Sequence, residues 1–180
     1  AASPDAKLIL PQAAVNYAVA LGVPSERLIA IRGDETFGVG NMIVHSIPAA
    51  HPGLDYTETD GYSFLGYVFQ VDGVTLYHSG DTLAYEGLAD KIKQFQPDVI
   101  LLPINGTNET LLKLNIAPNM NSAEAVALAK SIGTAVTIPN HYDLFDFNTA
   151  DVHDFVTLAT AEGLPHQVLH CGERWIWQHP

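Results

Sequence analysis

The 180-residue sequence has a single cysteine, Cys171, so no internal disulfide can form. That suits a reducing compartment, and a cytoplasmic location is expected. It has only 8 Lys and Arg against 20 Asp and Glu, a formal net charge of −12. A nucleic-acid surface needs clustered basic residues to displace counterions, and no basic run is present. No stretch approaches the roughly 18 apolar residues of a membrane span. Neither nucleic acid nor membrane is therefore an expected partner. Ala1–Leu10 lacks the basic start and long apolar core of a secretory signal. No local metal motif of the HExxH kind occurs. No internal repeat, low-complexity tract or linker divides the chain, so residues 1–180 read as one domain or part of one.

What is present is a globular composition, 47% hydrophobic and 16% charged, which excludes disorder. Lys7–Leu10 reads as a strand, Gln12–Leu21 as a helix stopped by Gly22, and Arg27–Ile31 and Asn41–Ile47 as strands. A loop over 48–61 holds His51 with Asp55, Glu58 and Asp60. Asp72-Gly73 between two apolar β runs predicts a hairpin of Tyr62–Val71 with Val74–Tyr77. A helix is expected within Thr82–Phe95, a doubly buried strand over Asp98–Ile104, and a long polar loop over Asn105–Asn119. Asn121 and Glu124 form a capping-box pair for a helix that ends at Gly133. Thr134–Ile138 reads as a strand, and Thr149 as the cap of a helix running to Gly163. His166–Leu169 and Arg174–Gln178 read as closing strands, with Trp175 and Trp177 packing on the sheet. Strands alternating with helices after Asp98 imply α/β layers, and the hairpin implies a partly antiparallel sheet.

Three positions place a ligand-type side chain just after a β run: His51, Asp81 and His141. In α/β sheets ligands gather where strands end. Imidazole nitrogen and carboxylate oxygen suit zinc, iron or manganese. The alternative for the histidines is a core or surface role, and for Asp81 a cap on the next helix. His45, His153, His166 and His179 read as surface or packing residues.

Pro48-Ala-Ala-His51, the hairpin beginning Gly66-Tyr-Val, Tyr77-His-Ser-Gly-Asp81, Leu101-Leu-Pro-Ile-Asn-Gly106, Asn115-Ile-Ala-Pro-Asn-Met-Asn121 and Ile138-Pro-Asn-His-Tyr-Asp143 occur in that order. Together they resemble the C-terminal two-thirds of a metallo-β-lactamase-fold hydrolase, in the ascorbate-phosphate lactonase-like branch. The resemblance implies an αββα sandwich with one or two divalent ions, zinc or manganese. It implies His51 on the first metal, Asp81 bridging and His141 on the second. It implies hydrolysis of a lactone or ester-like small molecule, phosphorylated or not, by a hydroxide made on the metal. Asp81, His78 and Asn105 take catalytic roles on this reading, and Gly106, Tyr142 and Asp143 line the substrate. Asp143 is alternatively a partner for an imidazole N–H.

The family's HxHxDH cluster is absent. The chain is therefore expected to be a partial sandwich lacking its N-terminal portion. Alone it is expected to bind metal weakly, to lack hydrolase activity and to self-associate. A phosphodiesterase of the same fold, or a non-enzymatic assembly module, is the rival expectation.

Overall fold

A computed structural model describes residue 3 and residues 5–178. The elements are β1 (Leu8–Pro11), α1 (Val15–Ala20), β2 (Leu28–Ile31), β3 (Thr36–Val39), β4 (Met42–Pro48), β5 (Tyr56–Thr57), β6 (Gly61–Tyr62), β7 (Leu65–Val71), β8 (Val74–His78), α2 (Leu88–Lys93), β9 (Val99–Pro103), α3 (Glu109–Lys113), α4 (Ser122–Ile132), β10 (Val136–Asn140) and α5 (Val152–Ala161).

The centre is a six-stranded sheet in the order β10-β9-β8-β7-β4-β3. The Asp72-Gly73 turn forms with both residues at positive φ, which joins β7 to β8 as an antiparallel hairpin. β9 is nearly continuous apolar sequence because it lies between parallel neighbours β8 and β10. β7 runs antiparallel to both β4 and β8. Thus β4, β8, β9 and β10 all point the same way, and their C-terminal ends share one rim of the sheet. That direction is what brings distant loops together.

Helices α2, α4 and α5 cover one face, with α4 packed against both α2 and α5 and against β9. Leu88, Ile92, Val126, Ala129 and Phe155 meet Ile47, Val68, Tyr77, Ile100 and Leu102 of the sheet. Fully burying a large side chain of this kind stabilises by roughly 1.5–3 kcal/mol. The Asn121 side chain accepts from the Glu124 N–H while Glu124 accepts from the Asn121 N–H, so the capping box closes in both directions.

Several expectations change. The opening strand β1 pairs in parallel with β2 in a small separate sheet. The first helix begins as a 3-10 turn over Gln12–Ala14. The polar stretch after Asn105 contains α3, capped by Asn108, whose side chain accepts from the Leu111 N–H. Asp151, not Thr149, caps α5. The two closing strands do not form. Residues 165–167 touch β10 at one bridge, Thr137 with His166, and 174–178 is irregular. Trp175 and Trp177 pack against each other instead of on the sheet, ring centroids 5.8 Å apart and planes tilted by 48°. Alternation makes a strand only where a neighbour supplies the ladder.

Candidate metal centre

His51, Asp81 and His141 lie just beyond β4, β8 and β10, on the shared rim. Gly80 takes φ +61, and a Cβ there would stand 2.8 Å from the Leu65 carbonyl oxygen. Only glycine lets the chain turn this closely and present Asp81. The Gly80 N–H donates to His78 Nδ1 at 3.0 Å.

The three groups meet at the Asp81 carboxylate. His141 Nε2 donates to Asp81 Oδ1 at 2.6 Å, and His51 Nε2 lies 3.9 Å from Asp81 Oδ2. One carboxylate thus faces two imidazoles, one oxygen to each. Asp81 does not cap a helix; α2 starts later, at Leu88. His51 packs edge-on against Phe64, and its Nδ1 is buried with no hydrogen-bond partner among the described residues.

Electrostatics follow from these contacts. The hydrogen bond from His141 holds Asp81 below its ordinary carboxylate range; the charges of His141 and His51 and a hydrogen bond from Asn119 add to this, and desolvation opposes it. The same bond to Asp81 raises His141 against the effect of its own burial. Shielding from water lowers His78, with Asp81 opposing and His141 contributing.

The sign of the pH dependence is fixed by both shifts. The raised His141 contributes stability that is complete below about 6.5 and is lost as pH rises through its folded value. The lowered Asp81 contributes stability present above about 3.9 and lost as pH falls through its folded value. With no metal added, the pair is expected to be strongest between those limits. An imidazole NMR titration should show a His141 midpoint above that of an ordinary histidine, restored to normal by Asp81→Asn. A midpoint at or below the ordinary value contradicts the pairing.

Imidazole nitrogen and carboxylate oxygen are donors that zinc and manganese accept, so the cluster fits a divalent ion in donor type. It does not complete a shell. Among the described residues no group of three or more His, Cys, Asp or Glu side chains is spaced to hold an ion by itself. Asp81 stands between the two imidazoles and accepts the His141 Nε2–H.

The other predicted residues divide. His78 belongs to the cluster electrostatically. Asn105 turns its amide to Asn148, Nδ2 donating to Oδ1 at 2.7 Å. The Gly106 N–H is used by the Met120 carbonyl. The Tyr142 hydroxyl is bonded to the Leu169 backbone on both sides, donating to its carbonyl and accepting its N–H. Tyr142 therefore anchors the tail. Asp143 holds the loop through its backbone N–H, which donates to Thr149 Oγ1 at 2.9 Å, and its carboxylate bonds no imidazole among the described residues. His141 and Asp143 both take left-handed φ, 62° and 58°, which fans these neighbours apart. Away from the site, His45 bonds Thr36 and Gln70, His153 bonds Asp151, and His166 bonds the Leu164 carbonyl. His179 lies outside the described residues. Two site residues were not foreseen, Asn119 and Thr82, both buried. A polar residue inside Pro118-Asn119-Met120 and one directly after Asp81 were the available signals.

The sequence pattern of the β-lactamase superfamily domain matches residues 5–142. The chain belongs to the β-lactamase superfamily. Among its superfamily relatives, a UPF0173 metal-dependent hydrolase of Methanoregula boonei is 34% identical over 145 residues, covering 79% of this chain and 60% of that protein. A probable L-ascorbate-6-phosphate lactonase, UlaG, of Salmonella newport is 30% identical over 166 residues, covering 86% and 46%. The metallo-β-lactamase fold protein YhfI from Bacillus subtilis superposes with a TM-score of 0.68 at 17% identity, covering 93% of this chain and 63% of YhfI. The superfamily fold is thus the fold of this chain. The chain spans about half to three-fifths of the length of these two curated relatives. Among the described residues no helix is long and apolar enough to cross a membrane.

Proposed function

We propose that this superfamily chain forms part of a metal-dependent hydrolase acting on a lactone or ester-like small molecule, with His51, Asp81 and His141 as metal ligands. The observation that carries this is the Asp81 carboxylate, with one oxygen facing each of two histidine Nε2 atoms. When bound, a divalent ion such as zinc or manganese supplies Lewis-acid polarisation and an acidified water. Asp81 holds the two imidazoles toward a common point. Burial favours the neutral form of His78, with Asp81 opposing. Its Nδ1 accepts from Gly80, so the neutral ring carries its proton on Nε2 and can donate to a substrate or leaving-group oxygen there.

A lactone or ester is favoured over a phosphodiester by where the cations are. Of the eight Lys and Arg, Lys91, Lys113 and Lys130 are paired with carboxylates and Lys7, Arg27 and Arg32 with backbone carbonyls, and none of these six has a site residue as its partner. A second reading, a non-catalytic assembly module, is favoured by the incomplete donor shell.

The test is a panel of small lactones, esters and phosphodiesters offered to the product of the complete reading frame, with zinc or manganese and then with EDTA. Lactone or ester cleavage that stops with EDTA and returns with the ion is expected. Turnover that persists after exhaustive chelation contradicts the metal reading, exclusive phosphodiester cleavage contradicts the substrate class, and no turnover at any ion concentration supports the assembly module.

A further inference from the structure

Thr82 follows Asp81 directly and is fully buried, at 0% exposure. A buried hydroxyl must find partners, and these partners are unusual. Ala50 and Leu83 face each other across an isolated antiparallel bridge. The Leu83 N–H donates to the Ala50 carbonyl at 2.8 Å, as such a bridge requires. The return bond is not direct. The Ala50 N–H donates to Thr82 Oγ1 at 2.9 Å, and Thr82 Oγ1 donates to the Leu83 carbonyl at 2.9 Å. The hydroxyl is thus spliced into the bridge and stands between a donor and an acceptor that would otherwise meet.

That insertion lies at the site. Ala50 precedes His51, and Thr82 follows Asp81. The main chain of Thr82 makes a third connection, its carbonyl accepting the Met120 N–H at 3.0 Å. Met120 follows Asn119, whose side chain lies close enough to Asp81 to help hold its carboxyl below the ordinary range. Asn119 is 4% exposed, its Oδ1 has no hydrogen-bond partner among the described residues, and its N–H donates to the Gly106 carbonyl at 3.2 Å. One residue ties together the segments that carry His51, Asp81 and Asn119.

We infer that Thr82 is a positioning residue whose hydroxyl, inserted into the Ala50–Leu83 bridge, sets the separation of His51 from Asp81. This rests on the reading of His51, Asp81 and His141 as metal ligands. Without the hydroxyl, the Ala50 N–H either closes directly on the Leu83 carbonyl, drawing His51 inward, or is left buried and unpaired. The first outcome moves His51 relative to a carboxylate now 3.9 Å away, and the second loosens the segment that holds it there. Thr82 touches neither imidazole, so its effect travels only through the backbone.

The test compares Thr82→Val, which keeps the shape and removes the hydroxyl, with Thr82→Ser, which keeps the hydroxyl and removes the methyl. Zinc affinity is read by titration, and hydrogen exchange is read at the Ala50 amide. Removing an outer partner of a metal ligand typically costs 10–100-fold in affinity. A loss of roughly that size is expected for Thr82→Val, together with faster exchange or a shifted resonance at Ala50, while Thr82→Ser keeps parent-like affinity and protection. Should the Thr82→Val chain fail to fold, the Thr82→Ser chain carries the test: folded, with zinc affinity lost, it overturns the role of the hydroxyl. Parent-like affinity in a folded Thr82→Val chain also overturns it. Asp81→Ala separates the two levels. If that change leaves zinc affinity intact, the metal-site reading itself fails; if it abolishes affinity while Thr82→Val does not, only the positioning role fails.

Discussion

Asp81→Ala is expected to abolish hydrolysis by the product of the complete reading frame, and to weaken zinc binding by more than the 10–100-fold typical of an outer partner. The Asp81 carboxylate faces both imidazoles, one oxygen to each, so its loss removes the centre of the cluster and not one arm. The fold should survive. The Asp81 side chain keeps 40% of its exposure and that of His141 34%, so their pair contributes about 1 kcal/mol or less to stability. For a domain of this size that is a fall of roughly 2–4 °C in Tm. Asp81→Asn keeps the shape and removes the charge, and should lose metal in the same way. Near-parent turnover by a folded Asp81→Ala protein would refute the assigned role, whereas loss of activity through unfolding is recognised by the melting curve.

Gly66→Ala is expected to have the largest effect on the fold of any single methyl added near the site. Gly66 sits in β7 opposite Ile47, beside the end of β8. A Cβ there would stand 2.5 Å from the Ser79 carbonyl oxygen and 2.9 Å from that of His78. These are backbone atoms, so no side chain can rotate away to make room. The sheet must part where β8 delivers His78, Ser79 and Gly80 to Asp81. Overpacking of this kind costs about 1–3 kcal/mol, and here the displaced segment carries the site. Urea unfolding should show a lower midpoint, and the ring resonances of His78 and His141 should move. A parent-like midpoint with unmoved rings would mean that the strands are not held this closely.

The sequence was most legible where a local rule acts alone. The Asp72-Gly73 turn needs only its two residues, and the Asn121–Glu124 capping box only one helical turn. The convergence of His51, Asp81 and His141 was legible for a broader reason. Each follows an apolar β run, and strands of one direction end on one rim. What sequence could not show is which polar groups are already taken. Asn105, Gly106 and Tyr142 looked free to meet a substrate, but their partners Asn148, Met120 and Leu169 come from distant parts of the chain. Thr82 escaped notice for the same reason, since its meaning depends on Ala50, 32 positions earlier. β3 was hidden because Thr36-Phe-Gly-Val39 is short and interrupted by glycine, and is held in place by β4. The failed terminal strands show the converse, alternation that gains only the single Thr137–His166 bridge and no ladder among the described residues.

The most direct measurement of the metal assignment is a zinc titration of the 180-residue chain, followed through the nitrogen resonances of its histidine rings. This titration distinguishes the two nitrogens of each ring and every histidine from the others. Saturable shifts at Nε2 of His51 and His141 are expected, with the Nε2 atoms of His45, His153 and His166 unmoved and the response lost in Asp81→Ala. Zinc that shifts the peripheral histidines while leaving His51 and His141 unchanged would contradict the assignment of this rim as the metal centre.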